Sequence, residues 1–178
     1  MQPAISDHLV RLLVVGILIS RIGDIGTTYL ASPGLKLEAN PIVRKFRWWY
    51  AFLTLFVCVI PYWNAGAGIM VMVVSFLVST SNSMRLWFIR ALGETEYFHL
   101  QVRVASAANP VSSLMLILLP PVFMALLGIS LWVVYPDPAI DPGYWFASGI
   151  LVYGAVLAVY SPLHFLRLRR EARISGVG

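Results

Sequence analysis

Long apolar stretches recur five times along this chain, and short polar connections separate them. The stretches cover residues 9–30, 48–63, 67–91, 111–135 and 144–166. A helix needs ~20 mostly apolar residues to cross ~30 Å of hydrocarbon. Helix is the expected form, because an open strand would leave its backbone groups unpaired in lipid. The pattern therefore predicts an all-α, polytopic membrane helix bundle with five transmembrane helices in a single integral membrane domain, residues 1–178.

The composition agrees with this interpretation and removes several alternatives. Hydrophobic residues make up 59% of the chain and charged residues only 12%, whereas about a quarter of a soluble domain is charged. The principal partner expected is therefore the lipid bilayer. Cys58 is the only cysteine, so a disulfide framework is excluded.

The basic residues predict the orientation of the bundle. Lys and Arg gather in alternate connections, at 33–47, at 90–103 and in the tail from 167 onward, while the connections at 64–66 and 136–143 have none. Positive residues accumulate on the cytoplasmic side of a membrane. The N-terminus is expected outside and the C-terminus in the cytoplasm, at the cell (inner) membrane. The net charge of +5 follows from this topology, so no nucleic-acid partner is expected.

Polar residues concentrate where the first and third stretches reach the predicted cytoplasmic face. Placing an acidic side chain within a spanning helix costs ~2.5–3.5 kcal/mol of free energy, so such a residue usually has an ion-pairing partner or a functional role. Asp24 is such an acid, and Arg21 lies on the same helical face, three residues earlier. The pair is either an interfacial anchor or part of a site. The remaining candidates for binding a ligand at this face are Thr27, Glu38, Asn40, Asn82 and Arg85.

A divalent cation is the cofactor that this set of side chains could hold. Carboxylate, hydroxyl and amide oxygens suit hard cations, and an imidazole beside carboxylates can bind a transition metal. Asp24, Glu38 and His99 are the candidate metal ligands. The alternative to a metal-binding role for His99 is that it lies on the solvent-exposed face of a loop.

Ala-Asn-Pro occurs twice, at 39–41 and at 108–110. Asn before Pro favours a helix N-cap followed by the first helical residue, so Asn40 and Asn109 are predicted caps. Both copies follow a polar helix end and a connection containing Gly and Glu. The two units are either an internal duplication or a chance similarity.

The segment Asp24-Ile25-Gly26-Thr27-Thr28, followed by Gly34 and Glu38-Ala39-Asn40-Pro41, resembles the signature of a family of small uncharacterised prokaryotic multi-pass membrane proteins. That signature is Asp-x-x-Ser/Thr-Thr, then Gly, then Glu-x-Asn-Pro. The resemblance implies a multi-helix inner-membrane protein with an Asp/Thr/Glu/Asn group at one face. It implies no activity.

The leading functional hypothesis is an integral membrane protein, such as a transporter, that binds a small ligand or cation at its cytoplasmic side. Two alternatives stay open. One is a membrane-embedded, metal-dependent enzyme that acts on a lipid-soluble substrate. The other is a non-catalytic subunit of a larger membrane complex, whose partners would be other subunits or further copies of the chain.

Overall fold

The computed structural model describes residues 7–38 and 40–176, and all regular secondary structure in these residues is helical. The rest of the predicted 1–178 domain lies outside the described residues. The helices are α1 (Asp7–Ala31), α2 (Pro41–Phe46), α3 (Trp49–Leu55), α4 (Ile60–Trp63), α5 (Ala65–Leu92), α6 (Glu94–Ala107), α7 (Pro110–Val134) and α8 (Pro142–Ile174), with a 3-10 turn at Phe56–Val59. The predicted all-α class is confirmed for this part of the chain.

Three of the described helices, not the five that were predicted, are long and apolar enough to cross a membrane. They are α5, α7 and α8, and they indicate a membrane-embedded protein. The predicted second span, 48–63, is broken into α3, the 3-10 turn and α4. A 3-10 turn has fewer residues per turn and poorer hydrogen-bond geometry than an α-helix, so this apolar segment is not one regular spanning helix.

Helix α1 is long enough to span a membrane but is not uniformly apolar. It has 25 residues, which at 1.5 Å per residue is about 37 Å. Arg21 and Asp24 interrupt its apolar run before the helix ends. The first predicted span is therefore a single long helix whose last third is polar.

The long helices pack side by side in the order α1, α5, α8, α7, and the short segment α3–α4 lies against α1. The polar loop after α1, helix α6 and the last turns of α8 meet at one end of this bundle. We call it the basic end. Helix α8 has 33 residues, about 50 Å, so it is roughly 20 Å longer than the hydrocarbon core.

Helix α6 forms where the sequence predicted only a connection. Its buried face packs against the last turns of α8 in an apolar cluster of Val102, Ala105, Phe165, Leu168 and Ala172. This contact holds α6 against the basic end. Helix α6 has only 14 residues, and polar residues interrupt its apolar ones, so its sequence lacks the long apolar run of a spanning helix.

Glycines allow the backbones of α5 and α8 to approach closely, as is common where helices pack in membranes. A Cβ atom added at Gly149 of α8 would lie 2.8 Å from the Val73 Cβ atom and 3.0 Å from the Met70 carbonyl oxygen of α5. Neither atom is the end of a flexible side chain. Gly26 of α1, by contrast, has open space around the same position.

Replacing Gly149 by Ala is expected to lower the free energy of unfolding by about 1–3 kcal/mol, because the new methyl group overpacks the α5–α8 contact. Gly26→Ala is the matched control. It is expected to be neutral or to stabilise by up to about 1 kcal/mol, because alanine favours the helix interior. Thermal unfolding in detergent measures both. A Gly149→Ala protein as stable as wild type would contradict the close packing of these helices.

Candidate functional site

A small open cavity lies at the basic end, between α1, α5, α6 and the loop that follows α1. Its volume is about 60 Å³, which is room for several water molecules. Four separate segments contribute the polar side chains that line it: Thr28, Ser32, Glu38, Asn82, Arg85, Tyr97 and Gln101. Apolar side chains of Ala31, Leu37 and Ile89 complete the wall.

Helices α1 and α5 are joined by a hydrogen bond at this cavity. The Asn82 Nδ2 atom donates to the Thr28 Oγ1 atom over 3.0 Å. Asn82 and Arg85 are three residues apart on α5, so they lie on the same face of that helix. Of the residues predicted from the sequence, Glu38, Asn82 and Arg85 come together here.

Arg21, Asp24 and Thr27 bond to one another within α1 and do not line this cavity. The predicted ion pair is present, with 3.1 Å between the Arg21 guanidinium and the Asp24 carboxylate, whose side chains are only 15% and 17% exposed. The Thr27 hydroxyl donates to the Asp24 carbonyl oxygen over 3.1 Å. These contacts fit the anchor alternative, because the Asp24 carboxylate and the Thr27 hydroxyl both bond within their own helix. The Arg21 Nε atom is buried without a hydrogen-bond partner among the described residues.

Glu38 and Asn40 both act on the backbone at the start of α2. The Asn40 side chain accepts a hydrogen bond from the Ile42 N–H over 2.9 Å, which confirms the predicted N-cap. The Glu38 carboxylate accepts one from the Asn40 N–H over 2.7 Å. Asn109 caps α7 in the same way.

The three predicted metal ligands lie in different surroundings. His99 is exposed on α6 and packs against the neighbouring Phe98 ring, Asp24 is paired with Arg21, and Glu38 lines the cavity. Among residues 7–38 and 40–176, no group of three or more His, Cys, Asp or Glu side chains could hold a metal ion. The geometry therefore gives no support to the cation hypothesis.

Glu94, the first residue of α6, binds the loop that follows α1. Its carboxylate accepts hydrogen bonds from the Ser32 hydroxyl, from the Gly34 N–H over 3.0 Å and from the Lys36 N–H over 2.8 Å. The Ser32 oxygen in turn accepts from the Leu37 N–H. One carboxylate thus organises the loop between residues 32 and 37.

Arg167 of α8 binds the carbonyl groups of the same loop. Its two terminal nitrogens donate to the Glu38 carbonyl oxygen over 3.0 Å and to the Lys36 carbonyl oxygen over 3.1 Å. The guanidinium also stacks over the Phe98 ring of α6. The loop is therefore held to both α6 and α8, which fixes Leu37 and Glu38 at the rim of the cavity.

The hydrogen bonds to Glu94 favour its charged form. Partial burial raises the pKa of this carboxyl group, but the bonds from Ser32, Lys36 and Gly34 outweigh that effect and hold the pKa below its ordinary value of 4.5. Hydrogen bonding to a carboxylate has this direction in general. The loop contact is therefore made by an ionised Glu94 at neutral pH.

Sequence reasoning missed Ser32, Glu94, Tyr97, Gln101 and Arg167 as parts of this region. Tyr97 and Gln101 are four residues apart, and that spacing places them on one face once residues 94–107 are known to be helical. The sequence pattern places Arg167 only in the basic tail that predicts the orientation of the bundle. No local motif marks Ser32 or Glu94, because their partners are about sixty residues away in the chain.

Glu94→Gln is expected to lower the free energy of unfolding at pH 7 by about 1 kcal/mol, because an NH2 group would face loop donors in place of an oxygen. A group whose pKa is lowered by folding stabilises above its ordinary pKa, here 4.5, and loses that contribution in acid. The difference in stability between wild type and variant should therefore narrow below that pH. Thermal unfolding across the pH range measures it.

The control for this variant is Glu96→Gln, which removes an exposed carboxylate two residues further along α6. It is expected to match wild type at every pH. If both variants lose the same stability, or if the difference for Glu94→Gln grows in acid, the proposed role of Glu94 in the loop is wrong.

Comparison of the chain with protein-family models, with curated proteins and with solved structures finds no match. The resemblance of residues 24–41 to a family of small prokaryotic membrane proteins therefore stays a prediction.

Proposed function

We propose that this chain is an integral membrane protein that binds a small polar molecule in the cavity at the basic end of its bundle. One observation is the main support for it. Four segments place seven polar side chains around one open cavity, at the end of helices whose other surfaces are largely apolar. Convergent polar groups in a concave site fix the orientation of a bound small molecule.

In this proposal, the chain crosses the membrane five times, with a broken second passage. Helices α1 and α5 both end at the basic end, so α5 begins at the opposite end. The segment from α2 to α4 must therefore run from the basic end back to the opposite end. At the basic end Trp48 Nε1 donates to the Pro33 carbonyl oxygen, and at the other end Pro61 packs against Gly68 near the start of α5. Fifteen residues, Trp49–Trp63, would extend only about 22 Å as a helix, which a thinner or locally adapted bilayer accommodates.

The basic end faces the cytoplasm in this proposal. The loop after α1, the α5–α6 region and the end of α8 carry most of the Lys and Arg residues, and such residues are retained inside. The N-terminus is then outside, the membrane is the cell (inner) membrane, and ligand reaches the cavity from the cytoplasm. Transport of that ligand is the activity most consistent with a binding site at one end of a membrane bundle.

Asn82→Leu tests the cavity as a binding site. Losing one interhelical hydrogen bond should itself cost only about 0.6 kcal/mol, so the variant is expected to fold. The protein in detergent is screened by thermal unfolding against amino acids, carboxylates, sugars, polyamines and phosphorylated compounds. At least one class should raise the unfolding midpoint of wild type by several degrees, and Asn82→Leu should abolish that rise.

Ser83→Ala is the matched control, because Ser83 is the next residue of α5 and its exposed hydroxyl donates to the Ser79 carbonyl oxygen of its own helix. It should retain the full response. The proposal fails if no compound stabilises wild type, or if Asn82→Leu responds as wild type does.

A further inference from the structure

Arg85 is the cationic group of the cavity, and its guanidinium is available to a ligand. The side chain is exposed and lines the cavity. Within residues 7–38 and 40–176 it makes no hydrogen bond and no ion pair. The one acidic side chain in the lining, Glu38, is bound to the Asn40 N–H. A ligand with an anionic group would therefore complement the charge of Arg85.

Two further arginines reinforce the positive charge beside Arg85. Arg44 of α2, Arg85 of α5 and Arg167 of α8 all lie close enough to His164 for their charges to act on its ring. Arg44 is also close to Arg167. Three guanidinium groups from three elements thus lie within electrostatic range of the same ring. Glu38 and Glu171 are the acids that act on Arg167, so the cluster keeps an excess of positive charge.

Two buried polar atoms beside this cluster lack a hydrogen-bond partner. The Gln101 Oε1 atom in the cavity wall and the His164 Nδ1 atom are both buried without a hydrogen bond in the described residues. A buried polar atom without a partner costs about 1–3 kcal/mol. A carbonyl oxygen such as that of Gln101 can only accept, so its missing partner is a donor, such as a hydroxyl group.

These observations select one ligand chemistry, and the inference rests on the proposed function of the cavity. We propose that the cavity binds a phosphate ester that also has hydroxyl groups, with the phosphate at Arg85 and a hydroxyl donating to Gln101. Guanidinium groups match the geometry of phosphate oxygens and bind them through paired hydrogen bonds. The ligand is either the headgroup of an anionic phospholipid or a soluble polyol phosphate, and both present the same two groups.

The test measures binding to full-length protein in an uncharged detergent by thermal unfolding and by titration. The probes are glycerol phosphate, dioctanoyl phosphatidylglycerol and dioctanoyl phosphatidylcholine. The phosphatidylcholine headgroup has no hydroxyl and is zwitterionic. Wild type should be stabilised by glycerol phosphate, by the phosphatidylglycerol, or by both, and less by the phosphatidylcholine. A response to the lipid alone identifies a headgroup, and a response to glycerol phosphate identifies a soluble ester.

Arg85→Gln should weaken this binding at least tenfold, because it removes the charge and keeps most of the side chain. Arg90→Gln is the control: Arg90 is an exposed arginine of the same helix that does not line the cavity. It should bind as wild type. Binding should also weaken with added salt, since exposed charges are screened.

Three results would overturn the inference: no response of wild type to either hydroxylated phosphate, an equal response of Arg85→Gln, or equal losses in Arg85→Gln and Arg90→Gln. This failure is distinguishable from failure of the proposed function. If an uncharged compound stabilises wild type and Arg85→Gln alike but not Asn82→Leu, the cavity binds ligand and only the phosphate assignment is wrong.

Discussion

The loop after α1 has non-helical backbone at the end of a membrane bundle, and its polar groups must find partners there. Two charged side chains from distant parts of the chain supply them. Glu94 accepts from loop N–H groups, and Arg167 donates to loop carbonyl groups. Because the two residues belong to α6 and α8, satisfying the loop also draws those helices to the end of α1. The geometry of the basic end depends on this pair of contacts.

The cavity is a consequence of the same contacts. Its lining includes the loop residues Leu37 and Glu38 and the α6 residues Tyr97 and Gln101. It also includes the ends of α1 and α5, which a hydrogen bond joins. Apolar packing of α6 on the last turns of α8 holds the outer wall in place. Release of the loop would therefore remove one side of the cavity while leaving the long helices packed through their glycines. Loss of the loop contacts is therefore expected to disturb the cavity more than it disturbs the packing of the long helices.

Sequence reasoning found what depends on local patterns and missed what depends on distant partners. The helical class, the Arg21–Asp24 pair and the caps at Asn40 and Asn109 follow from composition or from spacings of a few residues, and all are present. The break in the apolar segment 48–63 was missed because hydropathy reports apolarity and not the continuity of a helix. Glu94 was missed because its bonding partners lie about sixty positions earlier. The sequence predicts a partner or a function for Asp24, an acid within an apolar stretch. Its hydrogen bonds are to Arg21 and Thr27 of its own helix.

The central claim is that the cavity at the basic end is open to water on the cytoplasmic side of the membrane. Thr28→Cys in a Cys58→Ser background tests it most directly, since Thr28 lines the cavity and Cys58 is the only native cysteine. The variant is treated with a charged, membrane-impermeant thiol reagent in everted and in right-side-out vesicles, with Leu119→Cys on the exposed apolar surface of α7 as the unreactive control. The account predicts rapid labelling of Thr28→Cys in everted vesicles only. Labelling from the opposite side, or no labelling from either side, would contradict it.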